Sequence, residues 1–168
     1  MKHIIDRKRN RLRDYDYSNQ GAYFITICTA NRSKLLWKNV KYIDKAISPA
    51  DKFDAVDIVL SEAGKVVDEE IKNISKIYKC VEIKKYCIMP DHLHLIISLH
   101  NTDGEETPSI PRIIQQFKGT VTKKLETSIW QKSYYDRILR DDEDFQNHWM
   151  YIEMNTRKWA WDEHKTEF

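Results

Sequence analysis

The stretch VEIKKYCIMPDHLHLIISL, residues 81–99, decides the fold of this chain. It contains two apolar runs, 81–89 and 93–99, which are separated by Pro90 and Asp91. Each run is too short for a typical helix, and both contain β-branched residues. The pattern therefore predicts two neighbouring central strands.

The segments before and after this pair predict a first strand and two amphipathic helices. Residues 23–29 are dense in β-branched and aromatic side chains, which favours a buried strand. Ser61 and Ser109 are candidate N-caps, because an apolar stripe at helical spacing follows each of them. One helix is expected to end near Tyr78 and the other near Leu125.

The end of the chain completes the predicted architecture. Residues 129–139 predict a last strand, and the acidic run 141–144 marks the start of a helix that reaches about Trp159. Residues 34–43 and 54–60 are weaker strand candidates, which we interpret as an added hairpin. The element order predicts an α+β, ferredoxin-like antiparallel sheet with helices on one face and an appended C-terminal helix.

Length and composition indicate one globular domain over residues 1–168, with 41% hydrophobic and 32% charged residues. No run approaches the roughly 18 consecutive apolar residues of a membrane span, and the N-terminus has no signal-peptide core. We therefore expect a cytoplasmic protein without a membrane partner. Cys28, Cys80 and Cys87 are odd in number and lie in apolar stretches, so we expect no disulfide framework.

Positive charge is concentrated at the N-terminus, although the formal net charge is only +2. Residues 1–20 are interpreted as a basic arm whose first 13 residues carry a single acidic side chain, Asp6. The basic side chains of this segment are Lys2, Arg7, Lys8, Arg9, Arg11 and Arg13. Such an arm is typical of phosphate binding, and a solvated tail is the alternative that charge alone leaves open.

His92 and His94 are the first candidates for chemistry. They are two residues apart in an apolar run, so on a strand both imidazoles point to the same face. That geometry suits two-point binding of one metal ion. A lone histidine pair also occurs at structural zinc sites, and by itself it does not identify a function.

The predicted terminal helix has one apolar face and an adjacent polar one. The apolar face contains Phe145, Trp149, Ile152 and Trp159, and the polar face contains Asp144, His148, Tyr151, Asn155 and Lys158. Tyr151 and Asn155 are one turn apart, so the phenol and the carboxamide can approach the same metal-bound phosphate. Asn155 would supply a third ligand through its carbonyl oxygen. From the residues alone, an interfacial tyrosine with its hydroxyl in water remains an alternative.

The sequence resembles a known family over nearly its whole length. Residues 89–97, MPDHLHLII, resemble the M-P-N-H-V-H-L signature of IS200-like single-tyrosine transposases that carry an HUH motif. Asp91 stands where asparagine is commoner in that signature. Further segments resemble the REP-associated tyrosine transposase branch, in the same order: residues 11–17, 21–28, 60–64, 116–118 and 129–138.

The resemblance implies a nucleophile and a reaction. In the family the nucleophilic tyrosine lies on the terminal helix in a Y-I-x-x-N-P stretch, which here is YIEMNT and begins at Tyr151. Thr156 replaces the proline, which affects the expected shape of the helix end. Tyr134 and Tyr135 are rival tyrosines that the resemblance places near the last strand. The implied function is a single-stranded DNA endonuclease and strand transferase that forms a 5′-phosphotyrosine intermediate.

The resemblance also implies a metal and a DNA partner. His92, His94 and Asn155 would bind Mg2+ or Mn2+, since an oxygen donor suits both ions and manganese accepts imidazole readily. The partner would be single-stranded DNA that folds into a hairpin, and the protein would act as a monomer or a homodimer. Basic residues expected to contact this DNA are Arg7, Lys8, Arg9, Arg11, Arg13, Arg112, Lys118, Lys123, Lys124 and Lys158.

Two other functions remain as alternatives. One is a hairpin-binding module that has lost catalysis while keeping the fold. The other is a phosphohydrolase or nucleotidyl transferase that uses histidine as the nucleophile, although its third histidine would fall at Ile96.

Overall fold

The computed structural model describes residues 15–42, 56–101 and 106–165, which form six strands and three long helices. In chain order they are β1 Gly21–Cys28, β2 Trp37–Tyr42, β3 Val56–Leu60, α1 Glu62–Ile77, β4 Val81–Ile88, β5 His92–Leu99, α2 Ile110–Leu125, β6 Tyr135–Leu139 and α3 Asp142–Lys165.

The central sheet has the strand order β4-β5-β1-β6, and every neighbouring pair is antiparallel. The quoted stretch 81–99 supplies β4 and β5, which pair with each other as expected. Strands β2 and β3 form a separate antiparallel hairpin. This is the predicted α+β, ferredoxin-like arrangement, so the fold prediction is confirmed.

The two faces of the sheet are covered by different helices. Because side chains alternate along a strand, Ile25 and Leu95 face the core with α1 and α2, while Phe24 and Ile96 face α3. The first core contains the apolar stripes of α1 and α2, including Ile71 and Phe117. The second is smaller and contains the apolar face predicted for the terminal helix: Phe145, Trp149, Ile152 and Trp159.

Helix α1 is fixed at its start by local side-chain and backbone contacts. Ser61 is the N-cap as predicted, since its hydroxyl oxygen accepts a hydrogen bond from the Gly64 amide at 3.0 Å. The same hydroxyl donates to the Leu35 carbonyl at 2.6 Å. A Cβ atom at Gly64 would lie 2.1 Å from the Leu36 carbonyl oxygen, so only glycine allows α1 to approach the segment before β2 this closely.

Two predicted boundaries at the end of the chain were wrong. The last strand begins at Tyr135 instead of residue 129, because the segment before it turns away and keeps only a single bridge between Thr29 and Trp130. The terminal helix continues past Trp159 to Lys165. Thr156 retains the backbone N–H that proline lacks, so nothing in the backbone ends the helix there.

The chain packs against the core earlier than the predicted arm allows. Tyr17 is buried in the α1 and α2 core, Tyr15 packs beside it, and the Tyr17 carbonyl accepts the Ile110 amide at 3.0 Å. The arm predicted at residues 1–20 therefore does not extend through residue 17. Residues 1–14, which hold its basic side chains, lie outside the described residues.

The structure describes all three cysteines of the chain. Cys28, Cys80 and Cys87 are buried free thiols. Over the part of the chain that the structure describes, no helix has the length and apolar character needed to cross a membrane.

Candidate active site

The candidate site lies on the sheet face that α3 covers. His92 and His94 are on β5, and Thr26 on β1 is the direct cross-strand partner of His94. Strand alternation turns all three side chains away from the larger core. His94 is 4% exposed and lies beneath α3, whereas the His92 side chain at the strand end is 15% exposed.

The two imidazoles point the same ring atom at each other. The Nε2 atoms of His92 and His94 are 3.2 Å apart. The other nitrogen of each ring faces an oxygen: His92 Nδ1 lies 2.5 Å from Asp91 Oδ1, and His94 Nδ1 lies 2.8 Å from Thr26 Oγ1. If both Nδ1 atoms carry the proton and donate, both Nε2 lone pairs are directed into the space between the rings.

Helix α3 brings Tyr151 to this pair. The Tyr151 hydroxyl oxygen lies 3.5 Å from His94 Nε2, and its ring meets the His94 ring edge-on with centroids 5.2 Å apart. Phe24 packs edge-on against the same tyrosine at 5.9 Å. Tyr151 is nevertheless 49% exposed, so a residue that contacts the buried His94 is also accessible from solvent.

Burial sets the charge state of the inner histidine. Burial, with smaller effects from the neighbouring His92 and Arg32, lowers the pKa of His94 to about 3. The ring is therefore neutral at neutral pH, which is the form that binds a metal ion. A neutral ring also removes the need for a buried counter-ion.

The histidine pair has the donor geometry of a metal site. Two nitrogens that each lie about 2.1 Å from one ion are separated by roughly 3.0–3.4 Å in octahedral or tetrahedral geometry, and the observed separation is 3.2 Å. The described residues contain no group of three or more His, Cys, Asp and Glu side chains that could hold a metal ion. Among the described residues, any further ligand would therefore come from a different kind of donor, such as a carboxamide, or from a substrate oxygen.

Asn155 lies one turn beyond Tyr151 and has unused hydrogen-bonding capacity. Its Nδ2 atom is buried and has no hydrogen-bond partner. It lines a groove along α3 together with Tyr151 and Lys158, whereas His94 lines a second cavity that Tyr151 also borders. Within the described residues, no hydrogen bond joins Asn155 to either histidine. The structure thus unites His92, His94 and Tyr151 and places Asn155 at the border of the site.

A basic residue of β4 fixes the position of α3. Lys85 forms an ion pair with Glu153, two residues after Tyr151, and its ammonium lies 4.4 Å from the centroid of the Trp149 ring. The Lys85 side chain is 19% exposed, so this contact is largely shielded from water. The Lys85 contacts therefore anchor one turn of α3, the turn that carries Tyr151, to the sheet.

The rival tyrosines lie elsewhere. Tyr134 is buried with the α1 and α2 core, on the opposite side of the sheet from the histidines. Tyr135 is 56% exposed and pairs with Thr26, so it is one strand further from His94 than Thr26 is. Only Tyr151 places its hydroxyl oxygen within 3.5 Å of an imidazole nitrogen among the described tyrosines.

The basic residues predicted on α2 are not at this site, because α2 covers the other face of the sheet. Lys118 donates to the carbonyl oxygens of Gln131 and Lys132 at 2.5 and 3.2 Å, and Lys124 pairs with Glu70 at 2.8 Å. Arg112 and Lys123 are exposed on the same helix. Lys158 borders the groove beside Tyr151, and the five arm residues lie outside the described residues. DNA contact by these residues stays a prediction.

The chain matches a known protein family over the residues that form this site. The model of the family described as IS200-like transposases matches residues 17–155, which include both histidines, Tyr151 and Asn155. This chain belongs to the IS200-like transposase family.

Relatives of this transposase-family chain include two that carry names. It is 34% identical over 83 residues to a putative REP-associated tyrosine transposase of Haemophilus influenzae, covering 43% of this chain and 47% of that protein. It is 29% identical over 80 residues to a REP-associated tyrosine transposase of Escherichia coli, covering 48% and 47%. An uncharacterised Haemophilus influenzae protein matches 95% of this chain and 93% of its own length at 27% identity.

A solved structure shares the fold of this family member. The structure of a REP-associated tyrosine transposase bound to a REP hairpin covers 90% of this chain and 74% of its own, with a TM-score of 0.58 and 18% identity. At that identity the likeness shows a common fold.

Three contacts around the site of this transposase-family chain were not predicted from the sequence. Thr26 and Asp91, which hold the outer ring nitrogens, and Lys85, which anchors α3, were not singled out for these roles. Thr26 could have been found from strand alternation, because a polar residue inside an apolar strand pattern faces either solvent or a polar partner. The Lys85 contact depends on how α3 crosses the sheet, for which the sequence carries no signal.

Proposed function

We propose that this chain is a metal-dependent single-stranded DNA strand transferase that recognises DNA hairpins and cleaves through a 5′-phosphotyrosine intermediate. One observation carries the proposal: the Tyr151 hydroxyl oxygen lies 3.5 Å from His94 Nε2, which itself lies 3.2 Å from His92 Nε2. A hydroxyl oxygen and two imidazole nitrogens thus meet on one face of the sheet, which suits a nucleophile beside a pair of metal ligands.

The residues fit a divalent cation, and we expect Mg2+ or Mn2+ between His92 and His94, with Asn155 able to add its carbonyl oxygen. Such a cation would polarise the scissile phosphate and offset the negative charge that develops on it. Asp91 and Thr26 hold the outer ring nitrogens and so keep the two Nε2 atoms facing each other. The buried Asn155 Nδ2 donor has no partner, so it could donate to a phosphate oxygen of a bound strand while the carbonyl oxygen binds the cation.

Tyr151 is the nucleophile in this proposal. Its oxygen forms the new bond to phosphorus as the bond from phosphorus to the 3′ oxygen breaks, the phenol loses its proton, and the released 3′ oxygen becomes a hydroxyl. The 5′ phosphate then remains on the tyrosine. Attack by another 3′ hydroxyl reverses these steps and joins two strands, so no external energy source is required.

A folded DNA strand is the proposed partner. The solved structure with the same fold is bound to a REP hairpin. In this chain the exposed Lys158 lies beside Tyr151, and the basic arm at residues 1–13 adds charge for a duplex stem. Phosphate contacts of this kind hold the strand in position, while the histidine pair and Tyr151 act on one phosphodiester.

The test is a cleavage screen with stem–loop oligonucleotides taken from the DNA that flanks the gene. With Mn2+ present, we expect one oligonucleotide to be cut and to become covalently attached to the protein through an acid-stable bond. Cleavage that persists in EDTA would contradict the metal role. An acid-labile adduct would indicate a histidine nucleophile, and binding without cleavage would indicate a hairpin-binding module. Sedimentation of the protein with and without the oligonucleotide distinguishes a monomer from a homodimer.

A further inference from the structure

Arg32 lies in the turn after β1 and reaches the carboxylate that holds His92. Its Nε atom is 3.7 Å from Asp91 Oδ2, and the other oxygen of the same carboxylate is 2.5 Å from His92 Nδ1. Asp91 thus contacts a cation on one side and a histidine of the site on the other. At 3.7 Å the contact with Arg32 is an ion pair without a hydrogen bond, so the guanidinium is oriented but not tightly bound.

The turn that carries Arg32 has an unusual backbone. Asn31 and Arg32 are consecutive residues with φ of 54° and 55°, in the left-handed region that residues other than glycine rarely adopt. Such conformations persist where the surroundings enforce them, and they cluster at functional sites.

Hydrogen bonds enforce the turn from both ends. The Thr29 hydroxyl donates to the Ser33 carbonyl oxygen at 2.8 Å, and the Thr29 amide donates to the Asp91 carbonyl oxygen at 2.9 Å. The Leu36 amide donates to the Pro90 carbonyl at 2.9 Å. The turn is therefore tied to the residues immediately before His92, and Arg32 keeps a fixed position relative to the histidine pair.

The guanidinium lies at the open edge of the site. Arg32 Nη1 is 3.2 Å from the sulfur of Cys28, and Cys28 is the direct cross-strand partner of His92. Cys28 is buried, whereas the Arg32 side chain remains 54% exposed. One part of the guanidinium thus packs on the sheet beside His92 while the rest faces solvent.

We propose that Arg32 binds a phosphodiester of the DNA strand that enters the site, close to the phosphate that is cut, and that Asp91 is the positioning residue for its guanidinium. A planar guanidinium with several parallel N–H groups matches two phosphate oxygens at once. Phosphate is also the only strongly acidic group that a single strand offers at every position. This inference rests on the proposed function, because it assumes that a DNA strand occupies this face.

The first experiment measures binding without cleavage. The stem–loop oligonucleotide that is cut in the screen is titrated with Tyr151→Phe protein in EDTA, by fluorescence anisotropy, over a series of salt concentrations. Adding Arg32→Gln should weaken binding about 5- to 20-fold and flatten the slope of log affinity against log salt by about 0.7, the value for one phosphate on a single strand. Arg32→Lys should keep the slope, because it keeps the positive charge at this position.

Lys72→Gln is the matched control. Lys72 is an exposed, ion-paired cation on α1, bound to Asp68 at 2.6 Å and remote from the histidine face. This control should leave both affinity and slope unchanged. Affinity and slope equal to those of the parent in Arg32→Gln would overturn the inference. A parent protein that binds none of the oligonucleotides would contradict the proposed function and, with it, this inference.

A second experiment locates the phosphate. Single phosphates along the oligonucleotide are replaced by neutral methylphosphonates, and the affinity loss at each position is compared between the parent and Arg32→Gln. We expect one position near the cut whose replacement weakens the parent but has no effect in Arg32→Gln. If every position costs both proteins the same, Arg32 contacts no phosphate.

Asp91→Asn tests the positioning role. The amide oxygen can still accept a hydrogen bond from His92, but the charge that orients Arg32 is gone. Combined with Arg32→Gln, it should cause no further loss of metal-free DNA affinity, because both changes remove the same interaction. Losses that multiply in the double variant would show that Asp91 does not act through Arg32.

Discussion

The two faces of the central sheet are built from the same strands but serve different ends. On the face covered by α1 and α2, the inward residues of β1 and β5 are apolar throughout and belong to the larger core. On the face covered by α3, the same strands contribute Thr26, His92 and His94 beside a smaller apolar cluster. Adjacent residues such as His94 and Leu95 therefore belong to opposite faces.

The difference shows how a small domain can carry a polar site without losing its fold. Burying a polar ring costs free energy unless its nitrogen has a partner, and Thr26 supplies that partner for His94. The larger core contains most of the buried apolar side chains, whereas α3 is held to the other face by a smaller apolar cluster and a few specific contacts. One of these is the Lys85 ion pair with Glu153.

The largest expected effect separates the two faces by one residue. His94→Ala should reduce Mn2+-dependent cleavage at least about 100-fold, because losing a ligand exceeds the roughly 10- to 100-fold cost of losing an outer-shell partner. Leu95→Ala should lower the free energy of unfolding by about 2–5 kcal/mol while the folded fraction still cleaves. Urea unfolding and cleavage per folded molecule test the pair. If Leu95→Ala loses activity as completely as His94→Ala, the faces are not separable.

The next effect concerns only the stability of the face that α1 and α2 cover. Gly64→Ala would place a Cβ atom 2.1 Å from the Leu36 carbonyl oxygen, and we expect it to lower the free energy of unfolding by about 1–3 kcal/mol or more. Gly119 on α2 has no atom within 4 Å of its Cβ position, so Gly119→Ala should raise the free energy of unfolding by about 0.5–1 kcal/mol. Urea midpoints decide both, and Mn2+ affinity should be unchanged in each variant.

A smaller effect is expected from the residue behind His94. Thr26→Val keeps the shape of the side chain but removes the oxygen that faces His94 Nδ1. The affinity for Mn2+, measured by calorimetry, should fall about 10- to 100-fold, because the ring loses the partner that fixes its tautomer and orientation. Unchanged Mn2+ affinity in a folded Thr26→Val protein would show that this hydrogen bond does not prepare the ring for a metal.

Much of the fold was predictable because its signals are local. Two short apolar runs separated by Pro90 and Asp91 defined β4 and β5, and a serine cap with an apolar stripe defined α1 within one or two residues. The predicted start of the last strand was wrong by several residues. The segment from residue 129 contains strand-forming side chains, but tertiary contacts bend it away from the sheet. One of these is the bond from Lys118 to the Gln131 carbonyl.

The site was partly predictable for the same reason. The spacing of His92 and His94 placed both rings on one face, and the i, i+4 relation grouped Tyr151 with Asn155. The sequence could not show which side of the sheet α3 covers, and so it could not separate the α2 cations from the site. Nor could it predict that Asp91 contacts both His92 and Arg32, because that contact depends on a left-handed turn.

The central claim is that Tyr151 becomes covalently joined to DNA, and tryptic mass spectrometry of the protein after reaction tests it most directly. Cleavage after Arg140 and Arg157 gives a peptide in which Tyr151 is the only tyrosine, whereas Tyr134 and Tyr135 fall in the peptide 133–137. We predict a nucleotide adduct on the first peptide, its loss in Tyr151→Phe with DNA affinity changed by less than about twofold, and its persistence in Tyr135→Phe. An adduct on the 133–137 peptide, or an adduct that survives Tyr151→Phe, would contradict the account.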